Sequence, residues 1–162
     1  MYAVCTILEC PTSAYLRGIG KAIALRFAQE QAVVGLMDLR DPCPIAEEMK
    51  ANGYTALPLS VFITEYESVG RVVDTMLQQY GKIDILVNNA GIIVRDTILE
   101  LSPEDWQRVM NVNINETFSC SKAVIPHMIE QSYGRIVNIT SIAGKMGDKY
   151  LHKISGPPPH FL

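Results

Sequence analysis

Three stretches of the chain carry residue types and spacings suited to chemistry. The first is Ser13-Ala14-Tyr15-Leu16-Arg17-Gly18-Ile19-Gly20. Glycines there let backbone approach a pyrophosphate, and a helix opening near Gly18 supplies N–H groups and a partial positive charge. The alternative is a plain tight turn. A P-loop fits poorly, because that pattern needs Gly at position 15 and Ser or Thr at 22, where this chain has Tyr15 and Ala22. The second feature is Asp38, 18 residues past Gly20. That spacing is close to the roughly 20 residues expected for an acid on an adenosine ribose. Such a carboxylate accepts hydrogen bonds from ribose hydroxyls and repels a 2′-phosphate, which favours NAD. Arg17 and Arg40 are nearby cations that would serve NADP instead, and a solvated strand end is the plainer alternative. The third feature, Asn88-Asn89-Ala90-Gly91, follows the apolar run Ile85-Leu86-Val87. Small residues and amides at a strand end suit a ligand lying across a sheet crevice, where a bare tetrapeptide would only make a turn.

These residues need elements to hold them, and the hydrophobic pattern supplies a series. Short apolar runs alternate with amphipathic stretches, which predicts an α/β fold with a parallel sheet. A first strand is expected within Tyr2 to Pro11, then a helix from Gly18 with Ile19, Ile23 and Phe27 on one stripe. Val33 to Asp38 reads as a second strand, Glu47 to Ala51 as a short helix, and Thr55 to Val61 as a third strand. Val69, Val72, Val73, Met76, Leu77 and Tyr80 form one buried helical stripe. Ile83 to Val87 reads as a fourth strand, covered on two faces. Ser102-Pro103-Glu104-Asp105 has the make-up of a helix start. A further long helix carries Ile114, Phe118, Ile125, Met128 and Ile129, bent by Pro126, and Arg135 to Ser141 closes the series as a fifth strand. The segment Gly156-Pro157-Pro158-Pro159 cannot be helical. Residues 1–148 are therefore expected to form one dinucleotide-binding domain and 149–162 an aberrant Pro-rich tail.

Composition narrows the class. With 162 residues, 48% hydrophobic and 19% charged, the chain has the make-up of a folded domain with a sizeable core. A net charge of −3 gives no support to a nucleic-acid partner or an anionic membrane. No apolar run approaches the roughly 20 residues of a membrane span. The apolar start lacks a positive n-region and reads as a strand instead of a signal peptide. Cys5, Cys10, Cys43 and Cys120 show no metal-ligand spacing, so reduced thiols in a cytoplasmic protein, without a metal site, are expected.

Taken together, the motifs resemble the short-chain dehydrogenases/reductases, and most nearly their bacterial-type ketoacyl reductases and polyol dehydrogenases. The resemblance runs from Ser13 to Asp148. It rests on Arg17 to Ala24, Asp84 to Ile92, Asp105-Trp106-Gln107-Arg108-Val109, Val112-Asn113-Ile114 and Gly134 to Gly144, all in the family's order. It implies a doubly wound parallel (Rossmann) sheet, here incomplete at about five strands. It also implies hydride transfer between a nicotinamide and a carbonyl or secondary alcohol. By the same resemblance Ser141 binds the substrate oxygen, and Asn113 holds a helix kink and a water. Ala14, Arg17, Gly18, Ile19 and Gly20 match the pyrophosphate turn, Asp38 the ribose acid, and Asn89, Ala90 and Gly91 the adenosine side of the cleft. For Ser141 a backbone-capping serine is the plainer alternative, and for Asn113 a helix-terminal amide.

The chain also departs from that pattern. The family's chemistry needs a Tyr and, four residues on, a Lys, but Lys153, Ile154 and Ser155 stand where the Tyr belongs. Tyr150, nine residues past Ser141, with Lys153 three further on, is the candidate pair, and Gly156-Pro157 breaks any helix after it. Ala14 replaces the first glycine of the phosphate turn, and Pro11 is awkward in a central strand. Ser60 or Phe62 stands where an acid or amide usually lies near adenine, with Phe62-Ile63 reading as an insertion. The chain is shorter than the family's usual length, which leaves an open sheet edge and makes a homo-oligomer or other partner an expectation. Two further readings stay open. One is a non-catalytic dinucleotide-binding or interaction fragment, and the other is an unrelated doubly wound protein of the flavodoxin-like kind.

Overall fold

The computed structural model of the chain describes residues 1–6, 18–38, 41–61, 66–94 and 96–141. Among them the elements run β1 (Tyr2–Thr6), α1 (Ile19–Gln29), β2 (Val33–Asp38), α2 (Cys43–Ala51), β3 (Ala56–Ser60), α3 (Tyr66–Tyr80), β4 (Ile85–Asn88), α4 (Pro103–Met110), a π-helical turn (Asn111–Asn115), α5 (Glu116–Glu130) and β5 (Arg135–Asn138). The strands form one sheet in the order β3-β2-β1-β4-β5. Every pairing is parallel, with Val4 opposite both Gly35 and Leu86, and Leu86 opposite Ile136. The chain winds outward from β1 through β2 to β3, then crosses back to β4 and winds the other way. A flavodoxin-like order would place β1 at a different position in the sheet, so that reading falls.

Strand alternation sends neighbouring residues to opposite layers. Ala3, Val34, Leu36, Ile85 and Val87 pack with Ala24 and Ala28 of α1 and Ile45, Ala46 and Met49 of α2. Val4, Met37, Leu59 and Leu86 pack with Val69, Val72, Val73 and Met76 of α3 and Cys120, Val124 and Met128 of α5. A Cβ on Gly35 would lie 3.0 Å from Met76 Sδ and 3.1 Å from Leu59 Cδ1, so α3 sits close against the middle of β2. Val34 N and Asp38 O bond Thr55 O and Val61 N, which turns residues 55, 57, 59 and 61 toward β2. Pro58 then faces outward, where its missing N–H leaves the sheet's free edge one donor fewer.

Several boundaries differ from the sequence expectations for local reasons. The helix expected over Glu47 to Ala51 begins at Cys43, because Asp41 Oδ1 accepts the Cys43 N–H at 2.9 Å and Pro44 in the first turn needs no N–H partner. The fourth strand starts at Ile85. Asp84, buried ahead of it, takes the Tyr2 N–H at 2.9 Å and Lys82 Nζ at 3.1 Å. The fifth strand ends at Asn138, short of the expected Ser141. Ser102 caps α4 as expected, its Oγ accepting Asp105 N–H at 3.0 Å. α3 stops at Gly81 (φ +77°), whose N–H returns to Leu77 O at 2.7 Å.

Two helices turn a different face to the sheet from the one their large apolar residues suggest. In α1 the buried residues are Gly20, Ala24 and Ala28, while Ile19 is 65% exposed and Ile23 and Phe27 pack at the flank. In α5 the buried residues include Ser119, Cys120, Val124 and Met128, and Phe118 and Ile129 are 61% and 71% exposed. Ile114 and Ile125 lie on that same exposed side. Small side chains let a helix axis come closer to the pleated surface, so the small-residue stripe wins over the bulkier one. No helix among the described residues is long and apolar enough to cross a membrane.

Candidate functional site

The carboxyl ends of the strands share one edge, and the winding reverses between β1 and β4. In open parallel sheets ligands sit in the crevice outside that point. Each candidate that falls within the described residues reaches this edge from its own element. Gly18 caps α1 in an extended conformation, and that cap makes no side-chain hydrogen bond. Among the described residues, a Cβ on Gly18 would meet nothing within 4 Å. No acid stands in that first turn, and the field there favours an anion.

Asp38 ends β2 opposite Ser60 of β3 and is 3% exposed. A solvated strand end does not describe it. Its backbone carbonyl accepts Val61 N–H at 2.8 Å, which extends the ladder one residue past β3. Asp38 thus lies buried at the carboxyl end of β2, one strand from the point where the winding reverses.

Beyond β4 the segment Asn89-Ala90-Gly91 runs half-buried to exposed along the edge. Asn113, in the middle of the π-helical turn, holds the far end of that segment. Its Oδ1 accepts Ile92 N–H at 2.8 Å, and its Nδ2 donates to Ile92 O at 3.0 Å. A Cβ on Gly91 would stand 3.7 Å from the same Oδ1, so the amide packs on the glycine as well. The helix-terminal alternative for Asn113 is thereby replaced by a two-bond clamp inside a widened turn, a form of helix frequent at functional sites.

β5 brings in Ser141, half-buried three residues beyond the strand end. Ile139 N–H donates to Asn88 O at 2.9 Å, so the β4–β5 ladder continues toward it. Ala14, Arg17, Tyr150 and Lys153, together with the boundary at residue 148 and the tail 149–162, lie outside the described residues.

Sequence reasoning missed two groups. One is the set of partners that Asn88 finds in Asn138 and Ser121: Asn88 Nδ2 donates to Asn138 Oδ1 at 2.9 Å and to Ser121 Oγ at 3.2 Å. Asparagine at the last position of both β4 and β5 was the available signal. The other is Glu116, fully buried in the first turn of α5, which accepts from Cys120 Sγ at 3.8 Å. Burial, with Glu116 beside it, pushes the Cys120 thiol well above its ordinary range.

The α/β order and the all-parallel sheet agree with a family-level comparison. A family model described as short chain dehydrogenase matches residues 14–152. The chain belongs to the short chain dehydrogenase family. Among similar proteins, a 3-oxoacyl-(acyl-carrier-protein) reductase of Synechocystis is 41% identical over 136 residues, covering 82% of this chain and 55% of the relative. The enzyme of the same name from Thermotoga maritima is 37% identical over 141 residues, covering 86% and 57%. A hydroxy(phenyl)methylsuccinyl-CoA dehydrogenase subunit of Thauera aromatica is 40% identical over 128 residues, covering 78% and 52%. The chain thus spans about half the length of these short chain dehydrogenase relatives.

Proposed function

We propose that this chain forms the dinucleotide-binding part of an oxidoreductase acting on a carbonyl or secondary alcohol, with NAD preferred over NADP. The observation that carries the reading is Asp38, a buried carboxylate at the carboxyl end of β2 beside the switch point. The residues present fit the cofactor. The α1 N-terminus, with glycine at its cap and no acid in its first turn, suits a pyrophosphate. In this reading Asp38 accepts from ribose hydroxyls, and its charge opposes a 2′-phosphate. Asn89, Ala90 and Gly91 supply the adenosine side of the cleft. When bound, the nicotinamide is the group that gives up or receives the hydride.

The chain's own residues do the rest. Ser141 donates a hydrogen bond to the substrate oxygen, favouring the build-up of negative charge there. Asn113 keeps the π-helical turn fastened to Ile92, so that both move as one body. Tyr150 is the group proposed to exchange the proton, with the Lys153 ammonium lowering its phenol pKa. The named relatives act on acyl chains carried as thioesters of acyl carrier protein or coenzyme A, so we take a thioester-borne acyl group as the substrate class. A second reading, a dinucleotide-binding module without turnover, is favoured by the Tyr150–Lys153 spacing of three and the Gly156-Pro157 that follows.

Titration of the purified chain with NADH and NADPH, read by nicotinamide fluorescence and thermal shift, tests the cofactor assignment. Saturable binding with NADH tighter is expected, and Asp38→Asn should shift the preference toward NADPH by about tenfold, the effect of removing one charge near a phosphate. Absence of binding at roughly millimolar cofactor, where even weak sites fill, would overturn the reading. Steady NADH oxidation with an acetoacetyl thioester separates an enzyme from a module.

A further inference from the structure

We infer that Asn88 and Asn138 are a pair of positioning residues that presets the Asn89-Ala90-Gly91 segment for the dinucleotide, an inference that rests on the cofactor reading above. Asn88 is the last residue of β4 and is 3% exposed. Its amide spends both N–H groups, one on Asn138 Oδ1 at 2.9 Å and one on Ser121 Oγ of α5 at 3.2 Å. Its carbonyl takes Ile139 N–H at 2.9 Å. At the other end of the segment, Ile92 is gripped through both backbone groups by Asn113. The residues between, Asn89 to Gly91, therefore leave the sheet from one fastened point and arrive at another.

Holding the sheet together does not require this arrangement. The ladder already pairs Ile85, Leu86 and Val87 with Arg135, Ile136 and Val137. An aliphatic side chain at position 88 would bury without the cost of an amide. What the amide adds is direction. It ties the end of β4 at once to the end of β5, three residues before Ser141, and to α5, which follows directly on the turn holding Asn113. One side chain thus sets the spacing among the three segments that carry the candidate site residues. A segment ordered before the ligand arrives loses less entropy on binding, and that gain shows in affinity.

The test is an NADH titration of the full chain, wild type against Asn138→Leu and Asn138→Asp, with apo thermal midpoints measured alongside. Asp keeps an acceptor oxygen for Asn88 Nδ2, whereas Leu keeps the bulk and loses the acceptor. Asn138→Leu should weaken NADH about fivefold, and Asn138→Asp should stay within about twofold of wild type, as expected for one net hydrogen bond. Should Asn138→Leu not fold, Asn138→Ser, too short to reach Asn88, takes its place under the same criteria. NADH affinity unchanged in the Leu or Ser variant overturns the proposal, as does an Asp variant as weak as Leu. Wild type that binds no NADH removes the cofactor reading itself, and this proposal with it.

Discussion

Asn113 offers the sharpest test of the local architecture. Replacing it by Ala removes the bonds at 2.8 Å to Ile92 N and 3.0 Å to Ile92 O. Each such bond is worth about 1 kcal/mol net, and the half-buried setting argues against a larger penalty for the groups left behind. The expected loss is about 2 kcal/mol. With a urea slope of about 2 kcal/mol per molar for a domain of this size, the midpoint falls by about 1 M. Asn113→Asp adds a pH signature. As a carboxylate it still accepts the Ile92 N–H but faces the Ile92 carbonyl with no proton to donate. Protonated, it both accepts and donates, as the amide did. Its folded pKa should therefore lie above the usual value of about 3.9. The stabilisation tied to a raised folded pKa is complete below the unfolded pKa and is lost as pH rises through the folded pKa. The gap between Asn113→Asp and wild type, compared at equal pH, should then be widest near neutrality and narrow on acidification. Urea titrations followed by circular dichroism at several pH values measure both effects. An Ala variant within about 0.5 kcal/mol of wild type, the range of an ordinary surface change, would refute the clamp. A pH-independent Asp gap would refute the donor role of Nδ2.

Other consequences are equally direct. A Cβ at Gly134 would come within 2.7 Å of Met128 Cβ and closer still to its Cγ and Sδ, so Gly134→Ala should cost about 1–3 kcal/mol. Combined with Met128→Ala it should cost less than the sum of the two single changes in a thermal denaturation cycle. Asp41, through the hydrogen bond it accepts from Cys43, holds that thiol above its ordinary range, and the same contact lowers the Asp41 carboxyl. Asp41→Asn should therefore lower the Cys43 pKa and speed its alkylation at about pH 8, where thiolate is the limiting species. Unchanged labelling rates, read by mass spectrometry of the Cys43 peptide, would refute that link. Cys120, buried beside Glu116, should stay unlabelled in the folded chain over the same pH range and react only on unfolding.

Much of this protein is local information written along the chain. The alternation of apolar runs with amphipathic stretches locates the five strands and most of the helices between them, because a strand buried on two faces and a helix buried on one stripe need different periods. Ser102-Pro103 announces the start of α4 because capping depends on a few adjacent residues. The glycines, Asp38 and the Asn88 to Gly91 stretch are legible for a similar reason. The chemistry they suit depends on residue type at a strand end, and strand ends can be located from the pattern alone.

Tertiary structure decided what periodicity leaves degenerate. Both α1 and α5 carry more than one stripe able to face a sheet, and sequence favours the bulky one. The fold buries Gly20, Ala24 and Ala28, and Ser119, Cys120 and Val124, because close approach of helix to sheet gains more contact than large side chains that hold it away. The strand order, the burial of Asp38, the grip of Asn113 on Ile92 and the Asn88–Asn138 bond each join residues distant in the chain. Asn113 lies 21 positions from Ile92, and Asn138 lies 50 from Asn88. A residue's type and immediate neighbours carry no record of such partners. They exist only once the parallel crossovers have brought the carboxyl ends of the strands to one edge.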